Sequence, residues 1–498
     1  MTTPPHPDLS ASRRAIARRD ADKSAKAGKA GVVAAVDLGA TSGRVMVGRV
    51  GPDELSVEAI HRFPNNPVRT IDGLHWNILE LYRNVLLGLR HAVTAEPDLI
   101  SIGIDSWAVD YGLVRAGRMV NNPYHYRDER TAGGVEAVHR VVDPSRLYAA
   151  NGLQFQPFNS VYQLAVDRDA GLLDADVAAL LIPDLLAYWL TGKAVAERTN
   201  ASTTGLVDAR TGAWNRSLAA DLELPPDLLP PLVDPGTSIG GLLEPVADEV
   251  GGAGIEVVTV GSHDTASAVV AVPMTNDGAA YISSGTWSLV GVELDAPVLT
   301  EDSRVANFTN EGGVDGRIRY LKNVTGLWLL SESVRAWERA GSAIDLPVLL
   351  EEAAAINTPV PVFDANHPSL LPPGDMPARI AALCADADQP APGTPAEYTR
   401  SILESLAVAY ADALDQAEKL SGQPITTVHV VGGGSQNALL GHLTANRTGR
   451  RVLAGPVEAT AIGNVLIQAR AAGLVTGELG DLRALVARTY PPTEYLPR

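Results

Sequence analysis

Gly261-Ser262-His263-Asp264-Thr265-Ala266-Ser267-Ala268 joins an apolar run at residues 257–260 to a small-residue segment at 266–272. The run reads as a buried strand and the segment as the start of a helix. Side chains able to bond or move a proton therefore gather at the carboxyl end of a strand, where open α/β sheets bind ligands. Asp264 is the candidate chemical centre. An Asp at this point is also a good helix N-cap. Asn caps about as well but cannot accept a proton, so the two roles are separable.

Working outward, residues 32–36 and 45–50 are apolar runs flanking Asp37-Leu38-Gly39-Ala40-Thr41-Ser42-Gly43-Arg44. Two strands joined by such a turn predict a hairpin. The glycines permit tight turning and the small side chains leave N–H groups free. The turn can cradle phosphate oxygens, with the Thr41 and Ser42 hydroxyls as donors and Arg44 as counter-charge. Asp37 at the strand end can hold Mg²⁺ through water. Taken alone, the stretch is equally an ordinary hairpin. A second strand pair, 279–283 and 288–292, surrounds Ser284-Gly285-Thr286-Trp287. The two form a faint internal repeat, which predicts two related α/β domains, each opening with a phosphate-facing hairpin. Thr286 is then the second phosphate donor.

Residues 78–93 have helical spacing, and the strand at 99–104 ends in Asp105-Ser106-Trp107-Ala108-Val109-Asp110. A Trp between acids suits the apolar face and hydroxyl rim of a sugar, or is a core Trp with solvated acids. Tyr126-Arg127-Asp128-Glu129-Arg130-Thr131 is a surface ion-pair network or a partly buried brace near the sugar. The proline-rich stretch 222–240 reads as a rigid surface connection. Residues 307–313 read as a turn-rich loop and 355–397 as an irregular, exposed excursion. An amphipathic helix covers 402–420 and stops at Gly422. After a strand at 428–431, Gly432-Gly433-Gly434 leaves no side chains before a helix from Ala438. A flat base can lie on that backbone with the helix N-terminus pointing at it, or the glycines simply make a tight turn.

The 498 residues suit two or three domains, and 46% hydrophobic with 20% charged residues is a globular profile. A net charge of −18 argues against a nucleic-acid partner but leaves nucleotides open. Cys384 is the only cysteine, so no internal disulfide or Cys-based zinc site can form, which suits a reducing cytoplasm. No apolar run is long enough for a membrane span. Ser12-Arg13-Arg14 resembles a twin-arginine start, yet no apolar region follows; residues 1–30 read as a disordered polar extension. There is no Walker motif, no GxGxxG after a strand, no HExxH and no GxSxG. Ser262-His263-Asp264 is not a hydrolase triad, because consecutive side chains diverge.

Together VDLGATSGRV, SIGIDSWAVDYGL, SHDTASAV, YISSGTWSLVG, TNEGG, LKNVTGLWLL, VVGGGSQNALL and AGPVEATAIGN resemble the FGGY family of carbohydrate kinases, within the actin/hexokinase-like ATPase superfamily. They recur in family order across about residues 31–470. The resemblance implies two α/β, ribonuclease H-like domains, 31–272 and 273–498, hinged around an ATP and sugar cleft. It implies ATP with Mg²⁺, and transfer of the γ-phosphoryl group to the 1-hydroxyl of L-rhamnulose by a cytoplasmic monomer or homodimer, with no nucleic-acid or membrane partner. Alternatives are a kinase for another ketose, such as L-fuculose or xylulose, a catalytically silent sugar-binding regulator, or an actin-like filament or chaperone ATPase. By position, Ala40, Thr41, Ser42, Gly43 and Arg44 match the first phosphate loop, Thr286 the second, and Gly433 the adenosine site. His263, Asp264, Thr265 and Asn323 match the sugar contacts, with Asp264 as proton acceptor. Two positions depart. Ala108 stands where the family has a sugar-contacting Gly, and Ser331 where the rhamnulose-phosphorylating branch has a nucleotide-contacting Gln.

Overall fold

The first apolar run becomes β1 (Gly31–Leu38), which pairs antiparallel with β2 (Ser42–Gly51); β2 pairs in turn with β3 (Glu54–Pro64). Side chains alternate across a strand, and both faces of β1 are buried. Ala34, Val36 and Leu38 pack under helix α1 (Ile78–Ala95), while Val33 and Ala35 pack against a helix from the far end of the chain. The computed structural model describes residues 30–275 and 278–498. The extension expected over residues 1–30 lies, but for residue 30, outside them.

Strand β4 (Leu99–Ser106) lies parallel to β1, so Asp37 and Asp105 are lateral neighbours at the strands' carboxyl ends. Beyond β4 come β5 (Ser238–Gly241) and β6 (Glu256–Val258), in the spatial order β5-β6-β4-β1-β2-β3. β6 runs parallel to β4, so the Gly261–Asp264 segment emerges beside Asp105 and leads into α2 (Asp264–Val270).

The second sheet repeats this plan. β7 (Ala279–Ser284) and β8 (Ser288–Leu294) make the hairpin, and β9 (Thr309–Gly312) and β10 (Ile318–Val324) extend it on one side. After α3 (Trp328–Arg339) and α4 (Pro395–Ser421) come β11 (Thr427–Val431), α5 (Ala438–Thr448), β12 (Arg451–Ala454), α6 (Ala459–Ala472) and β13 (Thr493–Tyr495). The order is β9-β10-β8-β7-β11-β12-β13, with β7, β11 and β12 parallel.

Helix α6 crosses back onto the first sheet. Its Gln468 Nε2 donates to the Ala34 carbonyl (2.9 Å), and Ser101 Oγ donates to Gln468 Oε1 (2.7 Å). It meets α2 at Gly463, where an added Cβ would lie 1.8 Å from the Ser267 carbonyl oxygen. Among the described residues no helix is long and apolar enough to cross a membrane.

Two expectations are corrected. The turn-rich loop at 307–313 contains strand β9, whose Thr309, Asn310 and Glu311 are buried among polar partners rather than solvated. The excursion at 355–397 is partly core. Phe363, Leu370, Met376, Ile380 and Cys384 join the second domain's cluster, and a helix spans Met376–Asp386. Its Pro377 occupies the first turn, where the missing N–H costs nothing, and Asp375 caps it. Proline there starts a helix instead of breaking one.

Candidate active site

A cleft of about 340 Å³ opens between the carboxyl ends of the two sheets. It is lined by Ala40, Thr41, Ser42 and Arg44 from the first hairpin, and by Thr286 from the second. Ala108, His263, Asp264, Thr265, Asn323 and Gly433 complete the set of expected residues brought together there. Three others lie elsewhere. Gly43 is needed for packing, since a Cβ would meet the Phe63 ring at 2.3 Å. Asp37 sits just beneath the lining. Ser331 is exposed on α3 and does not reach the lining.

Asp264 is the first helical residue of α2, and the capping position belongs to His263, whose backbone is extended. No side-chain cap bond forms, so the capping role considered for Asp264 is not realised. Its Oδ1 accepts from Thr265 Oγ1 (3.1 Å) and lies 3.5 Å from His263 Nε2, with the side chain one-third exposed to the cleft. Desolvation raises its pKa, with the charge of Asp37 adding to the rise.

The loop ahead of Asp264 is pinned by a residue that sequence reasoning missed. Glu197 is fully buried and accepts from Ser262 N (3.0 Å) and Oγ (2.7 Å), from Thr199 N (2.8 Å) and Oγ1 (2.6 Å), and from Asn200 N (3.2 Å). Its local sequence looks like any surface glutamate; the partner that defines it is 65 positions away. Gln154 was missed likewise. It lines the cleft, and its Oε1 accepts from both Asn323 N and Asn323 Nδ2 at 2.9 Å, which orients that amide.

Under the first hairpin, Arg44 Nε and Nη2 donate to Asp37 Oδ2 (2.9 and 2.7 Å), and Nη1 pairs with Glu458. Asp105 is wholly buried. Asn464 Nδ2 donates to its Oδ2 at 2.5 Å, while its Oδ1 has no partner among the described residues. Desolvation, then the charges of Asp37 and Asp264, push its pKa well up.

The acids around Trp107 are not solvated. Asp110 accepts from Trp76 Nε1 (2.6 Å), Trp107 Nε1 (3.1 Å), Tyr126 N (3.1 Å) and Gln163 Nε2 (2.9 Å), and burial raises its pKa to about 6. It holds Trp107, packed at a tilt of 34° against Trp76 with ring centroids 4.0 Å apart, at the cleft wall. Between Ala108 and Asp110, Val109 adopts φ 67°, a costly conformation for a β-branched residue. Ser160 Oγ holds it by donating to the Val109 carbonyl (2.6 Å). The 126–131 cluster is the partly buried brace. Arg130 pairs with Asp167, Arg127 lies over the Trp328 ring (4.0 Å), and Tyr126 reaches the cleft.

Of the three consecutive glycines, Gly432 and Gly434 serve close packing, because a Cβ at either would strike Ser284. A Cβ on Gly433 would meet nothing within 4 Å among the described residues, so of the three this position leaves open floor. Helix α5 is set back behind a 3-10 turn, Gly433–Gln436, and its Leu440 N–H is taken by the Asn437 side chain. The backbone around Gly433, not the α5 terminus, faces the cleft.

The domain descriptions that match the chain are those of the FGGY family of carbohydrate kinases, the N-terminal domain over residues 32–271 and the C-terminal domain over 280–472. The chain is 42% identical over 468 residues to a rhamnulokinase from Bacteroides thetaiotaomicron, covering 93% of this chain and 95% of that protein. Its fold matches a gluconate kinase from Lactobacillus acidophilus with TM-score 0.76 at 15% identity, covering 94% of each chain. It matches a ligand-bound xylulose kinase from the same organism with TM-score 0.76 at 14% identity, again over 94% of each.

Proposed function

Since this chain belongs to the FGGY family of carbohydrate kinases, we propose that it transfers the γ-phosphoryl group of ATP to O1 of L-rhamnulose, the substrate named by its 42% identical relative. The observation that carries this reading is the placement of Asp264. An acid whose pKa burial raises opens onto a cleft that both hairpin turns line.

In phosphoryl transfer the protein mainly positions groups in line and neutralises charge, and a carboxylate takes the proton late. Asp264 accepts the proton from O1. His263, Thr265 and the Gln154-oriented Asn323 hold the ketose, with Ala108 against it. Ala40, Thr41, Ser42 and Arg44 face the phosphates from one side and Thr286 from the other, and the bare backbone at Gly433 takes the nucleoside. Residues 31–272 thus supply the acid and first hairpin, and residues 273–498 the second hairpin and nucleotide floor. Magnesium fits this site through water. Asp37, a carboxylate just beneath the lining and paired in register with Asp105, would hold it through water. When bound it supplies neutralisation of phosphate charge.

Coupled ADP release across L-rhamnulose, L-fuculose and xylulose tests the assignment. The highest kcat/KM is expected with L-rhamnulose; an equal or higher value with xylulose overturns it.

A further inference from the structure

The buried pair Glu311 and Arg319 has no part in the chemistry described so far. The two face each other across β9 and β10, both almost without solvent exposure. Two charges are costly to bury unless they are paired and used. Arg319 Nε donates to the Gly312 carbonyl (2.9 Å), Nη1 lies 3.1 Å from Glu311 Oε2, and Nη2 donates to His263 Nδ1 (3.0 Å). Although burial works against it, the charge of Arg319 holds the Glu311 carboxyl below its usual range, so it stays charged.

A guanidinium only donates and cannot surrender its protons. A proton on His263 Nδ1 would sit hydrogen against hydrogen with Nη2. Glu311 Oε2 is 3.2 Å from the same nitrogen but makes no aligned hydrogen bond with it. The Nδ1 lone pair therefore faces Arg319, and the ring proton resides on Nε2, the nitrogen beside Asp264 Oδ1.

We propose that Arg319, seated by Glu311, is a positioning residue that fixes His263 as the Nε2–H tautomer, so that the imidazole donates to an oxygen of the bound sugar and cannot compete with Asp264 for the proton. This deepens the kinase reading above and rests on it. It also explains why the acid's loop, which belongs to the first sheet, is tied to a strand pair of the second. A site built to donate at one point rejects analogues that lack the oxygen there.

The direct test is the tautomer itself, read by long-range ¹H–¹⁵N correlation on full-length protein with labelled histidine, His263 being assigned by its absence in His263→Gln. The Nε2–H pattern is expected; an Nδ1–H or averaged pattern overturns the proposal. No sugar or turnover is needed, so this outcome is independent of which ketose is the substrate. A second test uses the double variant Glu311→Gln/Arg319→Met, which strands no charge. Its KM for sugar is expected to rise about tenfold, the value of one lost hydrogen bond, with KM for ATP and Tm unchanged. An unchanged sugar KM overturns the proposal, as does a joint fall in Tm, ATP affinity and kcat, which marks a merely structural pair. Were the double variant unable to fold, the tautomer decides. Failure of the substrate assignment would show differently, as poor turnover of L-rhamnulose by the wild-type protein.

Discussion

At the residue scale, environment separates acids that look alike in sequence. Asp264, Asp105 and Asp110 all lie at or just beyond the carboxyl ends of strands, yet only Asp264 reaches the cleft. Because His263 occupies the capping position of α2, Asp264→Asn is expected to fold with unchanged Tm and ATP affinity while kcat falls about 10²–10⁴-fold. Substantial residual kcat would place the base elsewhere. Asp110 gives a stability prediction. Its folded pKa of about 6 lies above the ordinary carboxylate value. Between these values the folded state binds more protons than the unfolded chain, so stability from this group rises as pH falls through that window. Denaturant titrations at pH 5 and pH 7 should show the wild-type protein gaining about 1 kcal/mol more on acidification than Asp110→Asn.

At the element scale, the decisive contact is the crossing of α2 and α6. Gly463 lets the two helices touch backbone to backbone at Ser267, three residues after Asp264. Gly463→Ala forces them apart. Overpacking of this kind costs about 1–3 kcal/mol, and thermal denaturation should show Tm lowered by several degrees, with kcat reduced because α2 carries Asp264. A variant with wild-type Tm would mean the crossing is slack. The hairpins and their alternation were legible in the sequence, since turn glycines and apolar runs are local signals. Strand β9 was not, because its polar side chains satisfy one another inside the protein and so mimic a loop.

At the scale of the whole molecule, one cleft draws its lining from both sheets, and α6 ties the second half of the chain to the first. An open site holding ATP would lose it to water, so closure is expected to accompany sugar binding. Small-angle scattering should show a smaller radius of gyration with sugar plus a non-hydrolysable ATP analogue than with either alone; no change would exclude closure. What the amino-acid sequence determined by itself was the pair of α/β halves, their hairpin turns, the placement of Asp264 at a strand end and the open backbone at Gly433. Each is encoded within a few residues, by burial periodicity or by the absence of a side chain. Only the tertiary structure decided that Glu197 pins the loop ahead of Asp264, that Gln154 orients Asn323, that Arg319 meets His263, that Asp110 turns inward and that Ser331 stays off the lining. The partners in the first three lie 65, 169 and 56 positions apart, and a buried polar group takes its meaning from its neighbours in space, which no local pattern carries.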